Sequence, residues 1–147
     1  MSVLGFSHVA VCVADLERSL VFYGDGLGFD EVSRLDAEGE HIDRLLGVGG
    51  ARLRAVFLRR DGVTLELLWF RDRAAAAPAD ARPMDQPGLT HVSLNVSDID
   101  AVAERLSALG GRVLADSAVT VAKLGARAVF VLDPDGTRVE LVETTAT

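Results

Sequence analysis

Four side chains in this sequence have the types and spacing to act together: His8, Glu66, His91 and Glu140. Residues 6–15 read F-S-H-V-A-V-C-V-A-D, and residues 89–98 read L-T-H-V-S-L-N-V-S-D. His8 and His91 hold the same place in the two segments, 83 positions apart. Residues 54–67, R-A-V-F-L-R-R-D-G-V-T-L-E-L, match residues 127–141, R-A-V-F-V-L-D-P-D-G-T-R-V-E-L, after one extra residue in the turn. Glu66 therefore corresponds to Glu140. Imidazole nitrogens and carboxylate oxygens together suit a borderline divalent cation such as Zn, Ni, Co, Mn or Fe, and ligand type alone does not choose among these. An octahedral ion held by all four side chains keeps two adjacent positions open for substrate oxygens.

Such a site needs elements that aim the four residues the same way. Residues 5–13 alternate, with Val9, Val11 and Val13 on one side and His8, Ala10 and Cys12 on the other, which is the pattern of a half-buried strand. Asp15 is placed to cap a helix carrying Leu16, Leu20 and Tyr23 and ending near Gly24–Gly28. In the second copy, Ser97 or Asp98 caps a helix with an apolar stripe of Ile99, Val102, Leu106 and Leu109, stopped by Gly110–Gly111. Strand-like runs follow each helix. Arg52–Leu58 and Val63–Trp69 flank an Asp-Gly turn, and Ala126–Leu132 and Thr137–Val142 flank Asp-Pro-Asp-Gly. The expected order is strand, helix, then two or three strands, twice over, in an α+β fold.

Strand phase then places the chemistry. The apolar face of each sheet must cover its helix, so the opposite face is free to be polar. His8 lies opposite Val9, Val11 and Val13, and Glu66 with Thr64 lies opposite Leu65 and Leu67. His91, with Ser93 and Asn95, lies opposite Val92, Leu94 and Val96, while Glu140 and Arg138 lie opposite Val139 and Leu141. Two such faces turned toward one another would bring two His and two Glu into one cavity. A lone strand histidine is ordinarily a hydrogen-bonded core residue, and a strand-end glutamate is ordinarily solvated. Repetition at equivalent positions argues for a shared role. The structural alternative is a His–Glu hydrogen-bond network with no metal.

Composition bounds the rest. At 147 residues and 49% hydrophobic side chains the chain suffices for one compact unit, 1–147, made of module one at 1–72, an Ala/Pro-rich connector at 73–87 and module two at 88–147. Modules of that size are marginal alone, so a shared core is expected. The net charge of −7 argues against nucleic acid as a partner, and no apolar run is long enough to span a membrane. One cysteine, Cys12, excludes an internal disulfide and reads as a small apolar filler. A soluble cytoplasmic protein is the expectation. His41 has no repeat partner and reads as an exposed loop residue in the acidic stretch Asp36 to Asp43.

The segments 5–29, 63–68 (V-T-L-E-L-L), 89–100 and 133–143 (D-P-D-G-T-R-V-E-L-V-E) resemble the vicinal oxygen chelate superfamily. That superfamily includes glyoxalase I, methylmalonyl-CoA epimerase, extradiol dioxygenases, and bleomycin- and fosfomycin-resistance proteins. The resemblance implies paired βαβββ modules forming a cupped, partly open barrel-like mixed sheet with helices outside and one metal in the cup. It implies His8, Glu66, His91 and Glu140 as the metal ligands, in the His/Glu/His/Glu pattern most similar to glyoxalase I. Extradiol dioxygenases have no ligand at the position of Glu66, so that residue favours a lyase or isomerase. The implied reaction is proton transfer by Glu66 or Glu140 on a small substrate with vicinal oxygens, through a metal-stabilised enediolate. Gly47–Arg52 carries no carboxylate where methylmalonyl-CoA epimerases tend to have one. A sequestering protein of the bleomycin-resistance type is the alternative from another class. Anionic substrates would want basic groups near the cup, and Arg52, Arg54, Lys123 and Arg127 are available. The resemblance also implies a homodimer, with modules paired within one chain or exchanged between two.

Overall fold

A computed structural model describes residues 2–73 and 82–144. The chain divides into two compact units, Met1–Ala75 and Ala76–Thr147. Most of the connector expected at 73–87, namely residues 74–81, lies outside the described residues.

In the first unit β1 (Val9–Cys12) leads into α1 (Leu16–Leu20), followed by β2 (Asp30–Glu38), α2 (Glu40–Leu46), β3 (Arg52–Arg60) and β4 (Val63–Phe70). The second unit repeats this plan with β5 (Val92–Val96), α3 (Ile99–Ala108), β6 (Arg112–Val121), β7 (Ala126–Leu132) and β8 (Arg138–Thr144). Three strands follow α1 and three follow α3, completing βαβββ twice, with α2 inserted between β2 and β3. Each unit forms one open four-stranded sheet, in the orders β1-β4-β3-β2 and β5-β8-β7-β6. In both sheets the first strand runs parallel to the last and the remaining pairs are antiparallel. The fold is α+β with two mixed sheets.

The helix caps fall where side-chain chemistry puts them. The Arg18 amide donates to Asp15 Oδ1 at 3.0 Å and the Ala101 amide to Asp98 Oδ1 at 2.9 Å. Asp98, not Ser97, is therefore the cap of α3. That helix stops at Gly110, whose φ of 91° is costly for any residue with a Cβ. The Gly111 amide reaches back to the Leu106 carbonyl and the Gly110 amide to the Ser107 carbonyl, closing a Schellman motif. The Asp-Gly turn between β3 and β4 has φ of 51° at Asp61 and 78° at Gly62, the positive pair of a type I′ hairpin. Asp133 Oδ1 accepts from the amides of Asp135 and Thr137 and so holds the longer Asp-Pro-Asp-Gly turn.

Each unit buries its own layer between helix and sheet. In the first, Val11, Val13, Val56, Leu58, Leu65 and Leu67 face Leu16, Phe22 and Tyr23; in the second, Val129, Val131, Val139 and Leu141 face Ile99 and Leu106. Two expectations need correction. The first helix does not end as a regular α-helix: Val21–Gly26 widen into a π-helical turn that buries Phe22 and Tyr23 side by side, with rings 5.2 Å apart and nearly perpendicular. Ser19, Phe22 and Tyr23 thus take the inward face, while Leu20 is only half-buried. His41 sits on the first turn of α2 rather than in a loop, although it is exposed as expected. Asp43 stabilises this insertion by accepting from the Gly50 and Ala51 amides at 2.7 Å each, which holds its carboxyl below the usual range.

Candidate functional site

Register decides which residues meet on the face away from the helices. In the first unit Ala10 pairs with Glu66 across the parallel β1–β4 ladder, and Phe57 pairs with Glu66 across β3–β4. In the second, Ser93 and Phe130 are the corresponding neighbours of Glu140. Burial follows the expected phase: Val11 and Val13 are buried while Ala10 and Cys12 are exposed, and Leu65 and Leu67 are buried around a less buried Glu66.

His8 and His91 stand just before β1 and β5, where each can lean over its sheet. His8 Nε2 lies 3.1 Å from Glu66 Oε2, and His91 Nε2 lies 3.5 Å from Glu140 Oε2. Each ring packs edge-on against an aromatic neighbour. His8 and Phe57 have centroids 5.7 Å apart at 80°, and His91 and Phe130 have centroids 5.3 Å apart at 75°. The other ring nitrogen is occupied as well. Ser7 Oγ is 2.9 Å from His8 Nδ1, and Thr90 Oγ1 is 2.9 Å from His91 Nδ1. Ser93 Oγ donates to Glu140 Oε2 at 2.6 Å, a short charge-assisted bond. The first unit has Ala10 at that place and lacks the bond.

The four expected site residues are thus brought together as two pairs, one in each unit. Ser7, Thr90, Phe57, Phe130 and Ser93 were not anticipated as site residues. Phe57 and Phe130 carry a signal in the shared R-A-V-F, and Ser7 and Thr90 in the hydroxyl that precedes each repeated histidine. Ser93 breaks the repeat, so repetition does not single it out.

The donor chemistry suits a divalent cation. In each pair an imidazole Nε2 and a carboxylate oxygen are adjacent, with Nδ1 already satisfied by a hydroxyl, as in metal-ligating histidines held by an outer partner. Among the described residues no group of three or more His, Cys, Asp or Glu side chains is gathered closely enough to hold a metal ion.

The arginines expected near the site are placed otherwise. Arg52 and Arg54 share a side of β3 with Val56 and Leu58, opposite Phe57, and Arg127 shares a side of β7 with Val129 and Val131, opposite Phe130. Each is matched by a carboxylate: Arg52 by Asp72, Arg54 by Asp36, and Arg127 by Asp100 and Glu143. Arg71 also contacts Asp36, and the two guanidiniums, Arg54 first, hold its carboxyl far below the usual range. These are structural ion pairs on the helix side of the sheets. Lys123 lies in the exposed 3₁₀ turn Ala122–Leu124.

An α+β chain of two βαβββ units, each with a His–Glu pair on the open face of its sheet, defines a narrow class. The chain belongs to the Glyoxalase/Bleomycin resistance protein/Dioxygenase superfamily, whose family model matches residues 5–141. It is 35% identical over 145 residues to a 2-epi-5-epi-valiolone epimerase of an Actinomyces species, covering 92% of this chain and 76% of the relative. It is 29% identical over 141 residues to a probable lactoylglutathione lyase of Synechocystis, covering 95% of each chain. Among solved structures, a glyoxalase family protein from Bacillus cereus superposes with a TM-score of 0.81 over 97% of this chain and 95% of that one, at 21% identity. The fosfomycin resistance protein FosX from Listeria monocytogenes, in complex with Mn(II) and sulfate, superposes with a TM-score of 0.59 at 16% identity, covering 97% of this chain and 94% of that one. At those identities the likeness to solved structures shows the fold. No helix among the described residues is long and apolar enough to cross a membrane.

Proposed function

We propose that this chain is a divalent-metal-dependent lyase or isomerase of the glyoxalase type, acting on a small substrate with vicinal oxygens. One observation carries the reading: each unit independently sets an imidazole Nε2 beside a carboxylate oxygen at repeat-equivalent positions. His8, Glu66, His91 and Glu140 would hold the ion. When bound, a divalent cation supplies Lewis-acid polarisation of a substrate carbonyl.

The chain's own residues move the proton. A carboxylate beside the polarised carbonyl takes the proton from the adjacent carbon and returns it to the neighbouring one. Glu66 suits that role better than Glu140. Glu140 is tied at Oε2 by the Ser93 hydroxyl, whereas Glu66 has His8 as its one polar partner among the described residues and is the more enclosed side chain, 13% exposed against 26%. Phe57 and Phe130 steady the imidazoles by packing edge-on against them.

Epimerisation is the second reading, favoured by the 35% identity to an epimerase. Return of the proton to the same carbon from the opposite face needs a second proton carrier, and Glu140 is the repeat-equivalent group.

The test is metal analysis of protein purified without chelator, followed by assays with the methylglyoxal–glutathione hemithioacetal, 2-epi-5-epi-valiolone, methylmalonyl-CoA and catechols. The reading expects about one ion per His/Glu/His/Glu set, lost in His8→Ala, and solvent deuterium in the product. A metal-free protein that binds a ligand without turnover sinks it in favour of sequestration. Oxygen uptake with catechols sinks it in favour of ring cleavage. The functional assembly is proposed as a homodimer, read from the sedimentation of the metal-loaded protein.

A further inference from the structure

We infer that Arg138 reads an anionic end of the substrate, so that the vicinal-oxygen compound taken by this chain also carries a carboxylate or phosphate. This inference rests on the metal reading above and deepens it by naming the substrate class and the residue that selects it.

Register puts the guanidinium on the open face of the second sheet. Leu132 pairs with Arg138 and Phe130 with Glu140 across β7–β8, and Ser93 pairs with Glu140 across β5–β8. Val139 and Leu141 are buried on the helix side, so Arg138 and Glu140 share the opposite side. Alternate residues of a strand stand about 6.6 Å apart, which sets Arg138 one step from the carboxylate of the His91–Glu140 pair. A small substrate with its oxygens at the ion can extend an anionic group over that step. The side chain is also held in place. Arg138 is half-buried and donates through Nη1 to the backbone carbonyl of Arg82. Arg82 in turn closes residues 82–89 into a loop by donating to the Pro87 and Leu89 carbonyls. A carbonyl takes one of the five guanidinium donors and leaves the charge intact.

Charge decides what such a group selects. A chain of net charge −7 repels anions at long range, so an anionic substrate needs a local cation to hold it. Arg52, Arg54 and Arg127 are matched to carboxylates on the helix side and cannot serve. Arg138 has the face they lack. The repeat-equivalent position in the first unit is Thr64, and the guanidinium of that rung comes instead from its cross-strand partner Arg59. Arg59 is exposed, whereas Arg138 is partly withdrawn from water, which strengthens its attraction for a carboxylate. The half-buried guanidinium is therefore the reader.

The experiment is titration calorimetry of two chelators on the zinc-loaded, full-length chain. One is acetohydroxamic acid, and the other is succinic acid monohydroxamate, which offers the same two oxygens and adds a carboxylate. The ratio of the two affinities is the readout, because it cancels changes at the metal itself. In the unsubstituted chain the carboxylate is expected to tighten binding by about 10-fold, the order of a charge-assisted hydrogen bond, and the gain is expected to shrink as salt is raised. Arg138→Gln keeps an N–H for the Arg82 carbonyl but no charge, and is expected to abolish the gain. Arg138→Lys is expected to retain part of it, and Arg59→Gln all of it. No gain in the unsubstituted chain, a gain insensitive to salt, or a gain that survives Arg138→Gln overturns the inference and leaves the metal reading intact. Loss of the gain in Arg59→Gln overturns the choice of the half-buried guanidinium. Zinc that does not bind the unsubstituted protein, or that binds equally well in His8→Ala and His91→Ala, overturns the metal reading and this inference with it.

Discussion

The two units share a plan and a His–Glu pair but differ in what surrounds the carboxylate. Glu140 is held by Ser93, whose hydroxyl is 2.6 Å away, and its separation from His91 is 3.5 Å. Glu66 faces Ala10 across the same kind of ladder and approaches His8 to 3.1 Å. Duplication explains why both carboxylates are present, and the single change of Ala10 against Ser93 makes them unequal. A repeat supplies a symmetric set of donors, and chemistry that moves a proton in one direction needs that symmetry broken. The helix layers differ as well. The first unit fills the space with Phe22, Tyr23 and Phe29, packed edge to face, whereas the second uses a longer regular helix anchored by Leu106.

The comparison breaks most directly at the glutamates. Glu66→Gln is expected to lower turnover by about 10²–10⁴-fold, the range for loss of a general base, with a smaller loss of bound metal than Glu140→Gln. Glu140→Gln is expected to reduce metal affinity more than the turnover of the loaded protein. Metal titration beside steady-state rates separates the two, and the reverse pattern would exchange their roles. Ser93→Ala then makes the second unit resemble the first, and should raise residual proton transfer in Glu66→Gln if Ser93 is what restrains Glu140.

Core truncation distinguishes the two helix layers. Leu106→Ala is expected to cost about 2–5 kcal/mol by urea denaturation. Hydrogen exchange should quicken first in α3 and β8, whereas Leu67→Ala should loosen α1 and β4. A uniform loss of protection across the chain in both variants would show that the two layers do not respond separately. The caps predict a smaller and nearly equal pair of effects. Asp15→Ala and Asp98→Ala should each cost about 0.5–2 kcal/mol, because their bond lengths differ by only 0.1 Å.

The smallest effect is expected on acidification. Asp36 is held below the usual carboxylate range by Arg54 and Arg71, and Asp43 by the amides of Gly50 and Ala51. A depressed carboxyl stabilises the folded state above its unfolded pKa of about 3.9, and that contribution is lost as pH falls toward the folded value. Both groups are in the first unit. Below about pH 4 the melting temperature of Asp36→Asn should therefore fall less steeply than that of the unsubstituted chain. Identical pH slopes would show that this ion pair is screened by solvent and contributes nothing.

Much of this was legible in the sequence. The period-two alternation around His8 and His91 and the match of Glu66 with Glu140 assigned faces correctly, because a strand residue's side is set by parity alone. The cap aspartates, the Gly110 stop and the Asp-Gly turn were legible because each answers to local backbone geometry. Asp-Gly favours the type I′ hairpin, whose two turn residues both take positive φ as Asp61 and Gly62 do, and that preference is local. The π-helical turn at Val21–Gly26 was not legible, since packing two adjacent aromatics beneath one helix is decided by the volume available below it. The helix carrying His41 was hidden because it is short, Glu40–Leu46, and has no counterpart in the second copy.

The sequence by itself determined the duplicated plan and the two repeat-equivalent His–Glu pairs, since repetition and alternation are properties of residue order. Only the tertiary structure decided which groups surround each pair. Ladder register set Ser93 beside Glu140 and Ala10 beside Glu66, and it turned Arg52, Arg54 and Arg127 toward carboxylates on the helix side instead of toward the site. The contacts between Glu140 and Ser93, and between Arg127 and Asp100, join residues 47 and 27 positions apart. The first distance is closed by strand pairing and the second by packing of α3 on its sheet, and no local preference encodes either.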